Sequence, residues 1–150
     1  MSTAHKPSPM PTIKVMMTPF PYHITGGASL TEAAQLMSDK QIRHLVVTRE
    51  DGSYGLLSER DLEHHQALYG GRGEAELSVA DICREQAVCA DINDPVDRVL
   101  NAMTSRHLGS VVVLRHAELA GIFTTSDACH HFAEHLRKEH SIDDSPDLIA

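Results

Sequence analysis

The sequence predicts an α+β fold built from two β-α-β-β-α units related by a pseudo-twofold axis. Three observations carry that prediction. The first is an ungapped internal repeat with an offset of 66 residues: Met37 recurs as Met103, Val46-Val47 as Val112-Val113, Gly55 as Gly121 and Asp61 as Asp127. Conservative matches hold the same register, among them Leu30/Val96, Ile42/Leu108, Leu57/Phe123 and Ser58/Thr124. The second is an apolar stripe at helical spacing in each copy, and the third is a pair of β-prone runs joined by a turn after each stripe. Two copies of one supersecondary unit pack on each other because neither buries its apolar face alone. A cleft then forms between them, and function is expected there.

Taken in order, residues 1–12 carry Pro7, Pro9 and Pro11 among small polar residues and read as a disordered or extended arm. Val15-Met16-Met17-Thr18-Pro19 opens the first unit, Tyr22 to Thr25 reads as a short strand, and Gly26-Gly27 breaks it. Ser29 and Glu32 form a capping box for a helix whose stripe is Leu30, Ala33, Ala34 and Met37. In the second copy Asp94 is placed as the cap, Pro95 at the first helical position, and Val96, Val99, Leu100 and Met103 as the stripe. Leu45-Val46-Val47 and Tyr54-Gly55-Leu56-Leu57 flank Asp51-Gly52, a hairpin signal. Val111 to Leu114 and Leu119 to Phe123 repeat the arrangement around His116-Ala117. A closing helix follows in each unit, from about Asp61 to Leu68 and from about Asp127 to Lys138. The expected division is therefore an arm (1–12), a first repeat (13–69), a Gly-containing link (70–77), a second repeat (78–138) and an acidic tail (139–150).

Composition narrows the function. The 150 residues are 41% hydrophobic, with no run approaching a membrane span, and Met1 to Pro11 contains no apolar signal core. The three cysteines, Cys83, Cys89 and Cys129, make neither a disulfide framework nor a CxxC site, so a cytoplasmic setting is expected. A net charge of −8 opposes nucleic-acid binding through phosphate neutralisation. It leaves room for a small anion held at a local basic spot.

The chemistry concentrates in Ser58-x-x-Asp61 and Thr124-x-x-Asp127, each at the end of a predicted strand and the start of a helix. Backbone N–H groups stand unpaired at such a place, and the helix dipole favours anions. A carboxylate one turn in can accept two hydrogen bonds from a vicinal diol such as ribose. The same spacing also describes a plain helix cap.

The ordered set Met16-Met17-Thr18-Pro19, Ile42-Arg43-His44-Leu45-Val46-Val47 and Gly55-Leu56-Leu57-Ser58-Glu59-Arg60-Asp61 resembles a CBS domain (cystathionine β-synthase-type repeat). Leu108 to Val113 and Gly121-Ile122-Phe123-Thr124-x-x-Asp127 resemble its second member, the pair being commonly called a Bateman module. The resemblance covers about residues 13–135. It implies a non-catalytic, allosteric sensor of adenosine-containing ligands (AMP, ADP, ATP or S-adenosylmethionine) bound between the repeats. It further implies that Asp61 and Asp127 hold ribose hydroxyls, that Ser58 and Thr124 lie near the ribose-phosphate, and that the apolar helix faces form a homodimer. An adenine nucleotide is then a regulatory ligand rather than a cofactor, and an effector protein reads the change.

The copies differ where phosphate would sit. Arg43-His44 of the first become Gly109-Ser110 in the second, and Arg60 becomes Ser126. Phosphate needs charge-assisted donors, so the pocket around Asp61 is expected to take the anionic nucleotide. The Asp127 pocket is expected to be empty, weaker, or suited to a less charged adenosine compound.

Histidines recur too, His64-His65 as His130-His131, with His131 and His135 at i, i+4 but no third ligand in view. No nucleophile–base pair, P-loop or HExxH is present. The alternatives to a nucleotide sensor are a ligand-free homodimerisation or scaffold module and a metal-responsive histidine protein.

Overall fold

Ser29 starts the first long helix as the sequence predicts. In a computed structural model, which describes residues 8–70 and 77–140, its hydroxyl accepts the Glu32 N–H at 3.1 Å and the Glu32 carboxylate accepts the Ser29 N–H at 2.8 Å. Residues 71–76 of the expected link, 141–150 of the acidic tail and 1–7 of the arm lie outside the described residues.

The first unit comprises β2 (His23–Thr25), α1 (Leu30–Lys40), β3 (His44–Thr48), β4 (Tyr54–Ser58) and α2 (Glu59–Tyr69). The second comprises β5 (Cys89–Asp91), α4 (Val96–Ser105), β6 (Ser110–Arg115), β7 (Glu118–Thr124) and α5 (Thr125–His140). In each, the first strand pairs parallel to the second and the second pairs antiparallel to the third. The two long helices α1 and α4 end alike, with Gln41 and its counterpart His107 in the left-handed conformation at φ 52° and 54°. The next amide, of Ile42 or Leu108, then bonds back to the carbonyl of Met37 or Met103 and satisfies an orphan group. Asp94 does not cap α4. Pro95 occupies the N-cap, and the Asp94 carboxylate instead accepts the Asp91 N–H at 2.8 Å. The preceding turn, closed by the Asp94 N–H donating to Asp91 O at 2.9 Å, brings the Asp91 N–H within reach of that carboxylate.

Two apolar cores form, and each borrows a segment from the other half of the sequence. Ile13, fully buried, packs with Val96, Val99, Met103, Val111 and Phe123 of the second unit. Val79, also fully buried, packs with Ala33, Met37, Leu45, Val47 and Leu57 of the first. The Ile13 N–H donates to Asp94 O and the Lys14 N–H to Ile92 O. At the same offset, the Val79 N–H donates to Ala28 O and the Ala80 N–H to Gly26 O.

Val15 to Pro19 therefore does not build the unit it opens in sequence. Strand β1 (Thr18–Pro19) joins the edge of β7, making a four-stranded sheet β1-β7-β6-β5 beside the three-stranded β2-β3-β4. Pro11 and Thr12, read from sequence as part of a loose arm, are likewise tied down: Pro11 O accepts the Val96 N–H at 3.0 Å and Thr12 bridges Pro95. Short helix α3 (Val79–Ile82) makes the reciprocal contact on the first unit. Gly121 and Gly55 allow this close approach, because a Cβ would strike Met17 Sδ at the first and sit 2.7 Å from Cys83 Sγ at the second. The exchange locks the two halves into one body. No helix among the described residues is long and apolar enough to cross a membrane.

Candidate functional site

The register of each hairpin sets the site. His44 opposes Ser58 across β3 and β4, and Ser110 opposes Thr124 across β6 and β7. Each pair lies where its strands end and a helix begins. Arg43, His44, Ser58, Glu59, Arg60, Asp61 and Glu63 thereby meet Gly109, Ser110 and Thr125 of the other unit around a cleft of about 740 Å³. A volume of this size suits a ligand pocket. A bond between the units flanks their contact, the Leu119 N–H donating to Tyr54 Oη at 3.2 Å.

Both helix starts are more fully capped than the sequence led us to expect. At α2, the Glu59 N–H donates to Arg43 O at 2.8 Å and the Asp61 N–H to Ser58 Oγ at 3.1 Å. Asp61 Oδ2 accepts the Ser58 N–H at 2.8 Å. At α5, the Thr125 N–H donates to Gly109 O and the Asp127 N–H to Thr124 Oγ1. Two of the first three amides of each helix are thus already satisfied. An incoming anion must be met mainly by side chains.

The two aspartates differ in what they have left. Asp127 Oδ2 accepts both the Thr124 N–H (2.8 Å) and the Thr124 hydroxyl (2.9 Å), and Oδ1 accepts the Thr18 hydroxyl at 3.3 Å. Thr18 arrives on the exchanged N-terminal segment. Its counterpart 66 residues on is Arg84, which offers Asp61 no hydroxyl. Among the described residues Asp61 keeps only the Ser58 bond, is exposed, and lines the cleft. Thr124 and Asp127 are half-buried and do not line it.

Charge in the cleft is mixed. The Arg43 guanidinium lies 3.9 Å from Glu59, both side chains well exposed, so the pair is weak and open to competition. His44 is half-buried; that burial pushes its imidazole below its ordinary pKa, with Arg43 adding to the effect and the Asp61 and Asp127 carboxylates opposing it.

The family profile of the CBS domain matches residues 13–67 and again 79–134, which is most of the chain. The chain belongs to the CBS-domain family. Among solved structures, the CBS pair resembles an uncharacterised conserved protein from Pyrococcus horikoshii (25% identity, TM-score 0.72, 84% of this chain and 95% of that one). It also resembles a putative acetoin utilization protein from Vibrio cholerae (21%, TM-score 0.74, 90% and 99%). A third similar fold is the CBS-domain pair of protein MJ0100, solved in complex with 5′-methylthioadenosine and S-adenosyl-L-methionine (22%, TM-score 0.73, 85% and 99%). A search of curated proteins by sequence finds no match.

Of the residues singled out from sequence, Arg43, His44, Ser58, Arg60, Asp61 and Ser110 come together around one cleft of the CBS pair. The sequence did not single out Thr18 or Thr125. Thr18 could have been found by extending the repeat alignment back to residue 12, where Thr12, Ile13 and Thr18 fall opposite Ser78, Val79 and Arg84. Among the described residues no group of three or more His, Cys, Asp or Glu is arranged to hold a metal ion. His131 Nε2 instead meets Met16 O at 3.1 Å, and His135 lies 3.4 Å from Glu139.

Proposed function

We propose that this CBS pair is a non-catalytic regulatory module that binds one adenosine-containing ligand in the cleft around Asp61. One observation carries the proposal. The carboxylate that retains hydrogen-bonding capacity stands in a two-unit cleft with three basic side chains, whereas its counterpart Asp127 is occupied by Thr18 and Thr124. Asp61 accepts the ribose hydroxyls, Ser58 lies beside the ribose, and Arg43, His44 and Arg60 face the phosphate. Leu56, Gly109 and Ser110 line the remaining wall. The adenosine compounds bound by the MJ0100 pair support the ligand class.

Because the cleft is shared by both units, a ligand that binds one arrangement of the units better than another shifts the balance between them, which an effector protein or the homodimer can read. Apolar side chains left exposed on the closing helices, Leu68 and Tyr69 on α2 and Phe132 and Leu136 on α5, support a homodimer.

The test is a thermal-shift panel of AMP, ADP, ATP, S-adenosylmethionine and NADH on the full chain, with native mass spectrometry of freshly purified protein. Stabilisation by at least one adenosine compound is expected. No shift with any of them refutes the proposal and favours the scaffold reading.

A further inference from the structure

The cleft is acidic before any ligand arrives. Glu59, Asp61 and Glu63 line it against Arg43 and Arg60, and Arg43 already lies beside Glu59. His44 stands among these groups at the start of β3, half-buried, and within electrostatic reach of Asp61 on α2, Asp127 on α5 and its own neighbour Arg43. A phosphate entering here adds one to two negative charges. Two guanidiniums facing three carboxylates cannot balance it, and the amides of Glu59 and Asp61 at the start of α2 are already spent. The remaining lining group able to change charge near neutral pH is His44.

Building on the reading of the cleft as an adenosine site, we propose that His44 takes up a proton from solvent as the phosphate enters, making the site selective for phosphorylated over neutral adenosine compounds. Burial holds the free imidazole below its ordinary pKa and so favours its neutral form. A phosphate beside it adds an anion to the pull of Asp61 and Asp127 and reverses that preference. By linkage, each proton bound with the ligand makes affinity rise as pH falls. A neutral nucleoside brings no charge and no proton. His44 thus makes a phosphorylated ligand's occupancy a function of cellular pH.

The test is isothermal titration of the full chain with AMP and with adenosine near pH 7. Two buffers of differing ionisation enthalpy are used, and the pH series is repeated on His44→Gln. For AMP the expected result is a buffer-dependent heat corresponding to uptake of up to one proton. Affinity should gain up to about tenfold per pH unit lowered while pH lies between the free and bound pKa values of His44. Adenosine should show neither effect. In His44→Gln the uptake should vanish and the preference for AMP over adenosine should shrink.

AMP binding without buffer dependence overturns the inference while leaving the cleft's assignment intact. So does uptake that persists in His44→Gln, which would put the proton on the phosphate. Failure of both AMP and adenosine to bind removes the underlying reading as well.

Discussion

Replacing Asp61 by alanine separates the two jobs assigned to its carboxylate. The structural job is half of a capping box: Asp61 Oδ2 accepts the Ser58 N–H, while the bond from the Asp61 backbone N–H to Ser58 Oγ survives the substitution. Losing that one hydrogen bond costs about 1 kcal/mol, within a range of about 0.5–1.5. For a chain of this size that lowers Tm by about 2–4 °C. The functional job is to hold ribose. At a ligand concentration of about 100 Kd, binding stabilises the folded state by about 2.7 kcal/mol, or about 5–10 °C. Asp61→Ala should show the small loss without ligand and no gain with AMP.

Asp127→Ala is the control. Its carboxylate accepts the Thr124 N–H, the Thr124 hydroxyl and the Thr18 hydroxyl. At about 0.5–1.5 kcal/mol per net hydrogen bond, its removal should destabilise the protein more than Asp61→Ala. The gain with AMP should stay at the wild-type value. Thermal unfolding with and without AMP reads all four quantities. An Asp61→Ala protein that keeps the full ligand gain would refute the assignment, and so would an Asp127→Ala protein that alone loses it.

Three further outcomes follow from the packing and charge. Ile13→Ala should cost about 2–5 kcal/mol in chemical denaturation, because a fully buried side chain from the exchanged segment fills the second core; a negligible cost would mean that residues 12–19 are not part of that core. Gly121→Ala should cost about 1–3 kcal/mol, since its Cβ would meet Met17 Sδ and lie 2.9 Å from Thr18 O; a neutral substitution would contradict the close approach of β1. His44 has a lowered pKa in the folded state, so between its folded and unfolded pKa values the folded state binds fewer protons. Stability is therefore lost as pH falls from the unfolded value through the folded one. His44→Gln should flatten that part of the stability–pH curve, and an unchanged curve would count against a buried neutral imidazole.

Much of this was legible in the sequence because the repeat is ungapped. Local signals did their work where partners are close in sequence: the Ser29 capping box, the Asp51-Gly52 turn and the helical stripe ending in Met103 hold, and the stripe ending in Met37 holds except at Ala34, which is exposed. The motif residues of the first copy share a cleft because hairpin register places His44 against Ser58.

What the sequence hid is non-local. Residues 13–19 read as the opening of the first unit, and nothing in their own pattern says that they cross to the second. The same crossing carries Thr18 to Asp127, so two aspartates that look equivalent in sequence differ in their free hydrogen-bonding capacity. Asp94 illustrates a smaller failure, where a good capping residue beside a proline was drawn into the preceding turn instead.

The most direct measurement is a diffraction study of crystals grown with saturating AMP. One nucleotide per chain is expected in the cleft, its ribose hydroxyls on the Asp61 carboxylate and its phosphate beside Arg43 and His44. A nucleotide gripped by Asp127 with Thr18 displaced, or density outside the cleft altogether, would contradict it.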